Sequence, residues 1–163
     1  MVVCERNSYE KNGVICKNFK DKEKMRGEGV VLENSVVIEP CLIGNNVTIK
    51  NSVVGPHVSI AQNCKVLDSV VKNSIVYEET HIENQIIADS MIGKNVVLID
   101  ATVGPNVSLG DGCHVQKAEI KNSLVQNHSH IKNAQLDNAM IGNHVSFDGN
   151  FKSISIGDYS VLE

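Results

Sequence analysis

Residues 43–48 read Ile-Gly-Asn-Asn-Val-Thr, and this order of an aliphatic residue, a glycine, two variable residues and a small residue returns at 92–97, 109–114 and 141–146. Between these six-residue rungs lie five-residue rungs such as Ile-Lys-Asn-Ser-Val at 49–53. Glycine, asparagine and aspartate accept positive φ and bend the chain, so each rung is predicted to be a short strand followed by a corner.

The rungs form a regular coil, as the spacing of the aliphatic residues shows. Three rungs span 16 or 17 residues, so that residues 53–60 (Val-Val-Gly-Pro-His-Val-Ser-Ile) and 102–109 (Thr-Val-Gly-Pro-Asn-Val-Ser-Leu) lie three turns apart on one face. Three corners per turn predict an all-β triangular prism, a parallel β-helix of about 7–8 coils. The predicted core columns comprise Ile43, Ile49, Val54, Ile60, Val66, Val71, Val76, Ile82, Ile87, Ile92, Leu98, Val103, Leu109, Val115, Ile120, Val125, Ile131, Leu136 and Ile141.

Composition and charge exclude several classes of function. Aromatic residues make up 4% of the 163 residues and tryptophan is absent, which fits a narrow interior of valine, isoleucine and leucine. The net charge of −4 gives no general attraction to nucleic acid, and no apolar run is long enough to span a membrane. We therefore expect a cytoplasmic protein that binds neither nucleic acid nor a membrane.

Five cysteines are present, without a Cys-x-x-Cys pair. Cys41, Cys64 and Cys113 fall at the fifth rung position, where valine stands in other rungs. These three are predicted to be small core residues.

The rungs resemble the hexapeptide repeat, which implies a single-chain left-handed parallel β-helix. Within that superfamily the chain resembles the carboxy-terminal domain of sugar-1-phosphate nucleotidylyltransferases of the glucose-1-phosphate thymidylyltransferase type. The resemblance rests on Val-Ile-Glu-Pro at 37–40, the Asn-Ser rungs, Phe-Asp-Gly at 147–149 and Ile-Gly-Asp-Tyr-Ser at 156–160. It implies a role in nucleotide-sugar biosynthesis, as an assembly or regulatory domain that forms homotrimers.

The catalytic part of such an enzyme has no counterpart in this chain. The sequence contains neither a glycine-rich, basic nucleotide-binding loop nor the alternation of strands and helices that surrounds one. Residues 30–163 are predicted to form the β-helix, whereas residues 1–29 are predicted to be a polar connector from a nucleotidyltransferase domain or a cap. The isolated chain is expected not to be catalytic and to need no cofactor.

An alternative function is acyl transfer from acetyl-CoA to a sugar phosphate or nucleotide sugar, because the superfamily includes acyltransferases that use a histidine as general base. The repeat brings His114 beside His130, and His128 beside His144, near one corner. For the acyltransferase alternative, His128 or His144 is the candidate base and Lys65 or Lys94 the candidate phosphate contact. Solvated corner residues are the competing interpretation, and no metal site is predicted.

Overall fold

The computed structural model describes residues 9–11, 14–17, 26–149 and 154–162. These residues form strands joined by short turns, and no helix is present among them. Accordingly, this part of the chain contains no helix long and apolar enough to cross a membrane. The strands build three sheets, which we call faces A, B and C.

Face A contains nine strands in spatial order, all parallel except for the antiparallel first pair: β1 (Tyr9–Lys11), β2 (Val14–Lys17), β4 (Val36–Ile38), β7 (Val53–Val54), β10 (Val70–Lys72), β13 (Ile86–Ala88), β16 (Thr102–Val103), β19 (Glu119–Lys121) and β22 (Gln135–Asp137). Face B contains eight parallel strands: β5 (Cys41–Ile43), β8 (Val58–Ile60), β11 (Ile75–Val76), β14 (Ser90–Ile92), β17 (Val107–Leu109), β20 (Leu124–Val125), β23 (Met140–Ile141) and β25 (Ser155–Ile156).

Face C contains nine parallel strands: β3 (Val31–Glu33), β6 (Thr48–Lys50), β9 (Lys65–Leu67), β12 (His81–Glu83), β15 (Val97–Ile99), β18 (His114–Gln116), β21 (His130–Lys132), β24 (Ser146–Asp148) and β26 (Val161–Leu162). The chain visits C, A and B in turn, so that each strand pairs with the strand one coil earlier and the strand one coil later. This order gives the predicted parallel coil with three faces.

The core follows the predicted columns. Every aliphatic residue predicted to point inward, from Ile43 to Ile141, is at most 2% exposed. Phe147 continues the face C column after Ile131 and is also buried. The prediction of the core is confirmed: these aliphatic residues, together with smaller buried residues such as Val47, Cys64 and Val96, fill a prism too narrow for many rings.

Asparagine and aspartate fill most of the corners. Among the described residues they account for the majority of non-glycine positions with positive φ, as at Asn46, Asn73 and Asp100. Their side chains also bond to the next coil: Asn84 donates from Nδ2 to Oδ1 of Asp100 over 2.7 Å. The corner prediction from residue type is therefore confirmed.

Buried serines connect successive coils at the same corner. Ser52 Oγ accepts the backbone N–H of Ser69 at 3.0 Å, and Ser69 Oγ accepts that of Gln85 at 3.0 Å. Gln85 continues the series, because its Oε1 accepts the N–H of Ala101 at 3.1 Å. Side-chain oxygens thus satisfy buried backbone donors that the strand ladders leave unpaired.

Candidate functional site

Four histidines form two stacks at and beside the corner between faces B and C. The rings of His114 and His130 stack on face C with centroids 4.9 Å apart, and those of His128 and His144 stack at the corner with centroids 5.1 Å apart. The repeat register predicts both pairs. Tyr159 continues the second stack, with its ring centroid 5.0 Å from that of His144.

The corner stack has a structural cause. His128 and His144 have φ of 57° and 55° and occupy the corner position that Asn46, Asn63 and Asn95 occupy in earlier coils. The His128 ring lies over Gly112, where a side chain would collide with Nδ1 of that ring. None of the hydrogen bonds found for the described residues involves either imidazole, so no neighbouring group orients these rings for proton transfer.

The two candidate lysines lie away from the corner stack. Lys94 Nζ is 3.4 Å from Glu78 Oε2 at an earlier part of the same corner. Lys65 lies on face C, four coils before His128, which corresponds to roughly 19 Å along the rod. The structure therefore does not bring either lysine together with His128 and His144.

Lys65 instead lies beside His81, its partner in the neighbouring strand of face C. His81 Nε2 is 3.1 Å from Glu83 Oε2, and both side chains are partly exposed. A carboxylate at one ring nitrogen fixes the imidazole and leaves the other nitrogen available. Among the six histidines, all of which are described, His81 is the one with such a carboxylate partner.

The sequence contained a signal for this arrangement that the prediction did not use. His81 and Glu83 are separated by one residue within a strand, so both side chains point outward from the same face. A histidine and a carboxylate at this spacing are therefore neighbours once the segment is known to be a strand. No three histidine, cysteine, aspartate or glutamate side chains come together as a metal site within the described ranges.

The cysteines Cys41, Cys64 and Cys113 are buried and reduced, as predicted. Burial raises the pKa of each thiol above its usual value, and the opposing backbone hydrogen bonds are the smaller cause. A raised pKa keeps the thiol protonated at neutral pH and reduces its reactivity. These residues are part of the core and not of a site.

The open surfaces beside the histidines are shallow. A groove of about 420 Å³ is lined by His130, Lys132, Ser146, Phe147 and Asp148 at the carboxy-terminal end of face C. The irregular spacing predicted for residues 148–155 falls next to this groove, but residues 150–153 lie outside the described residues. Elsewhere the described coils keep a length of 16 or 17 residues from Val37 to Phe147, with no lengthened rung, as predicted.

His130 is the histidine whose pKa is shifted. Partial burial lowers its pKa below the ordinary value of about 6.5, and the neighbouring charges of His114 and Lys132 lower it further. Between the folded and unfolded pKa values the unfolded chain binds the proton more readily. The stability that neutral His130 provides is therefore fully present above the unfolded pKa of about 6.5, and it is lost as the pH falls from there through the lower pKa of the folded state.

We expect the free energy of unfolding to fall between pH 7 and pH 5, and His130→Gln to make that fall smaller. Urea unfolding at several pH values measures the slope. In an NMR titration, His114→Gln should raise the pKa of His130 part of the way to 6.5, because burial remains after the neighbouring charge is removed. A pKa of His130 at or above 6.5 in the unaltered chain would contradict this prediction.

Comparison with known proteins identifies the family to which this β-helix is similar. The model of the GLGC left-handed parallel β-helix domain matches residues 23–124, which is more than half of the chain. No curated protein matches the sequence.

Several solved structures share the fold at low identity. UDP-N-acetylglucosamine acyltransferase from Campylobacter jejuni is 17% identical over 78% of this chain and 66% of that protein, with a TM-score of 0.54. A protein from Bacillus cereus assigned to the acetyltransferases is 16% identical over 82% of this chain and 78% of its own, with a TM-score of 0.48. This chain thus spans just under two thirds of the Campylobacter protein.

The likeness to the Campylobacter protein shows the fold alone, because the identity is low. The family model supplies the hand of the coil, which the general preference for right-handed crossovers would not have predicted. Together with the three parallel sheets and the rung pattern, it assigns the chain: this protein belongs to the GLGC left-handed parallel β-helix domain family.

Proposed function

We propose that the chain is the assembly domain of a sugar-1-phosphate nucleotidylyltransferase, and that the catalytic domain is supplied by a separate part of the enzyme. The observation that carries the proposal is a row of exposed apolar side chains on five of the eight strands of face B. Leu42, Ile75, Met91, Leu124 and Met140 are all at least 39% exposed, one per strand. Contiguous exposed apolar surface of this kind marks an interaction surface.

Two further observations support this role. The chain belongs to a family of β-helix domains, and its segments 37–40 and 156–160 resemble those of domains that accompany a nucleotidyltransferase. The described coils are uniform and their grooves are shallow, whereas sites for small molecules are usually concave and enclosed. A long prism with exposed apolar side chains along face B is suited to hold copies of an enzyme together.

Sedimentation equilibrium of the chain at tens of micromolar tests the proposal. We expect an assembly of two or more copies, of which the homotrimer implied by the hexapeptide resemblance is one form. A chain that stays monomeric throughout this range would contradict the assembly function.

A second candidate function is acyl transfer from acetyl-CoA to a sugar phosphate or nucleotide sugar. The Campylobacter protein is an acyltransferase for UDP-N-acetylglucosamine, and His81 with Glu83 and Lys65 is the arrangement here that favours such chemistry. Glu83 would orient His81 as the general base, and Lys65 would contact a phosphate of the substrate. In this candidate function His81 takes the place of His128 and His144.

Isothermal titration with CoA and acetyl-CoA tests the second candidate. If it is correct, we expect binding with a micromolar dissociation constant and release of free thiol when an amino-sugar phosphate is added. His81→Ala should then abolish thiol release, whereas the matched variant His57→Ala at an exposed corner should retain it. No heat of binding at millimolar CoA would exclude this function.

A further inference from the structure

The outward side chains of face B follow a repeating order along the rod. One such residue per strand lies in a single column, because each pairs in register with the next. From the first coil to the eighth the column reads Leu42, Ser59, Ile75, Met91, Ser108, Leu124, Met140 and Ser155. Serine therefore stands at every third coil, a spacing of about 14 Å.

Ser59 and Ser108 belong to the two similar segments 53–60 and 102–109, so the three-coil repeat of the sequence creates these gaps. Large side chains project between them: Leu42 is 51% exposed, Met91 44% and Met140 59%. A shallow groove of about 790 Å³ runs beside Ile75, Met91, Leu124 and Met140. The face thus alternates projecting apolar side chains with recessed serines.

We propose that face B binds face B of a second copy of this chain in an antiparallel arrangement, with the two-fold axis between β14 and β17. This inference rests on the assembly function proposed above. Antiparallel alignment places coil one opposite coil eight, coil two opposite coil seven, and so on. The resulting pairs across the interface are Leu42 with Ser155, Met140 with Ser59, Met91 with Ser108 and Ile75 with Leu124.

Steric fit favours this alignment. In three of the four kinds of pair, a projecting side chain meets a recessed serine, and the fourth brings two medium-sized aliphatic residues together. A parallel pair of rods in register would place every residue opposite itself, so that Met91 would meet Met91 and Ser108 would meet Ser108. Self-complementary two-fold contacts of the antiparallel kind pack without such crowding or gaps.

Charges at the corner between faces B and C agree with the same alignment. An antiparallel two-fold axis keeps this corner on the same side in both copies. Lys94 in the fourth coil then lies opposite Asp111 in the fifth, and Glu79 in the third lies opposite His128 in the sixth. At this corner no charged side chain faces one of the same sign across the interface. The arrangement is therefore electrostatically complementary.

The contact area is sufficient for a specific dimer. Eight strands about 4.8 Å apart, each with about five residues of strand and corner in contact, cover roughly 600 Å² per copy. The total of roughly 1,200 Å² lies at the lower end of specific interfaces. Met91 and Leu124 lie in the middle four coils and contribute the most deeply buried part of the interface.

Disulfide cross-linking tests the orientation. Leu42→Cys and Ser155→Cys are prepared separately, in a background in which Cys4 and Cys16 are replaced by serine, and are oxidised alone and as a mixture. We expect a cross-linked dimer in the mixture only, because positions 42 and 155 meet across the interface. Cross-linking of Leu42→Cys with itself would show a parallel arrangement, and no cross-linking in the mixture would exclude this interface; either result overturns the proposal.

Substitutions on the face test the interface itself in the unmodified chain. Met91→Glu should raise the dimer dissociation constant by about 100-fold, since a charge would be buried at the centre of the contact. Ile86→Glu is the matched control, because Ile86 is 54% exposed on face A. A dimer that Ile86→Glu dissociates and Met91→Glu does not would refute the proposal.

The two proposals fail in different ways. A trimer that is insensitive to Met91→Glu would overturn the antiparallel dimer and leave the assembly function intact. A monomer at all concentrations would overturn both.

Discussion

We expect Gly104→Ala to lower the free energy of unfolding by about 3–5 kcal/mol, a large part of the stability of a domain of this size. Gly104 has φ of +114°, a conformation that side chains rarely adopt. An added Cβ would overlap the carbonyl oxygen of Ala88 and lie 2.9 Å from Ser90 Oγ in the preceding coil. The backbone must shift at a point where two coils are in direct contact, so the strain cannot relax locally.

Urea unfolding followed by circular dichroism measures the effect, and Gly157→Ala is the matched control. A Cβ at Gly157 would have no neighbour within 4 Å, and its φ is not in the positive range. That variant should change the unfolding free energy by less than about 0.5 kcal/mol. Equal stability of the Gly104→Ala and Gly157→Ala proteins would show that close packing at the Gly-Pro corner is not required.

Ser69→Ala should destabilise the fold by about 1–3 kcal/mol although it removes one oxygen atom. Ser69 is 2% exposed, and its hydroxyl donates to the carbonyl of Leu67 and accepts the N–H of Gln85. In the variant the N–H of Gln85 loses its acceptor while it remains buried, and water cannot replace the hydroxyl there. The cost is that of an unsatisfied buried donor and not that of lost apolar contact.

Ser146→Ala provides the comparison, because Ser146 is exposed on face C and no hydrogen bond of its hydroxyl is found. Its substitution should be nearly neutral in the same urea experiment. Comparable losses from Ser69→Ala and Ser146→Ala would mean that the buried serines do not stabilise the corner through their hydroxyl groups.

The sequence was sufficient to predict the coil, because each position of the repeat accepts residues for one structural reason. Inward positions must be aliphatic in a narrow prism, and corners with positive φ favour asparagine, aspartate and glycine. Counting along the chain therefore places Ile43 and Ile60 in one column and stacks His114 on His130. The left-handedness of the coil could not be predicted from residue spacing, because a right-handed coil would have the same spacing.

The candidate site was harder to predict. His128 and His144 were correctly placed beside each other, but Tyr159, which stacks on His144, comes after the sequence segment 148–155, where the rung spacing is interrupted and counting fails. The contact of His81 with Glu83 depends on the rotamers of two exposed side chains, and rung position does not determine these. Residue spacing thus identifies which residues share a column, whereas the contacts within a face require coordinates.

Because each strand pairs with the strand one coil away, paired residues are close in sequence, and this has a consequence for the folding rate. Most paired residues are separated by 15 to 17 positions, as in His114 with His130 and Leu42 with Ser59, in a chain of 163 residues. Their mean separation is thus about a tenth of the chain length, a relative contact order in the range of helical bundles and well below that of β-sandwiches. After a first pair of coils has formed, each further coil closes a short loop onto an existing edge. We therefore expect this all-β protein to refold faster than a β-sandwich of the same length, which stopped-flow refolding measures.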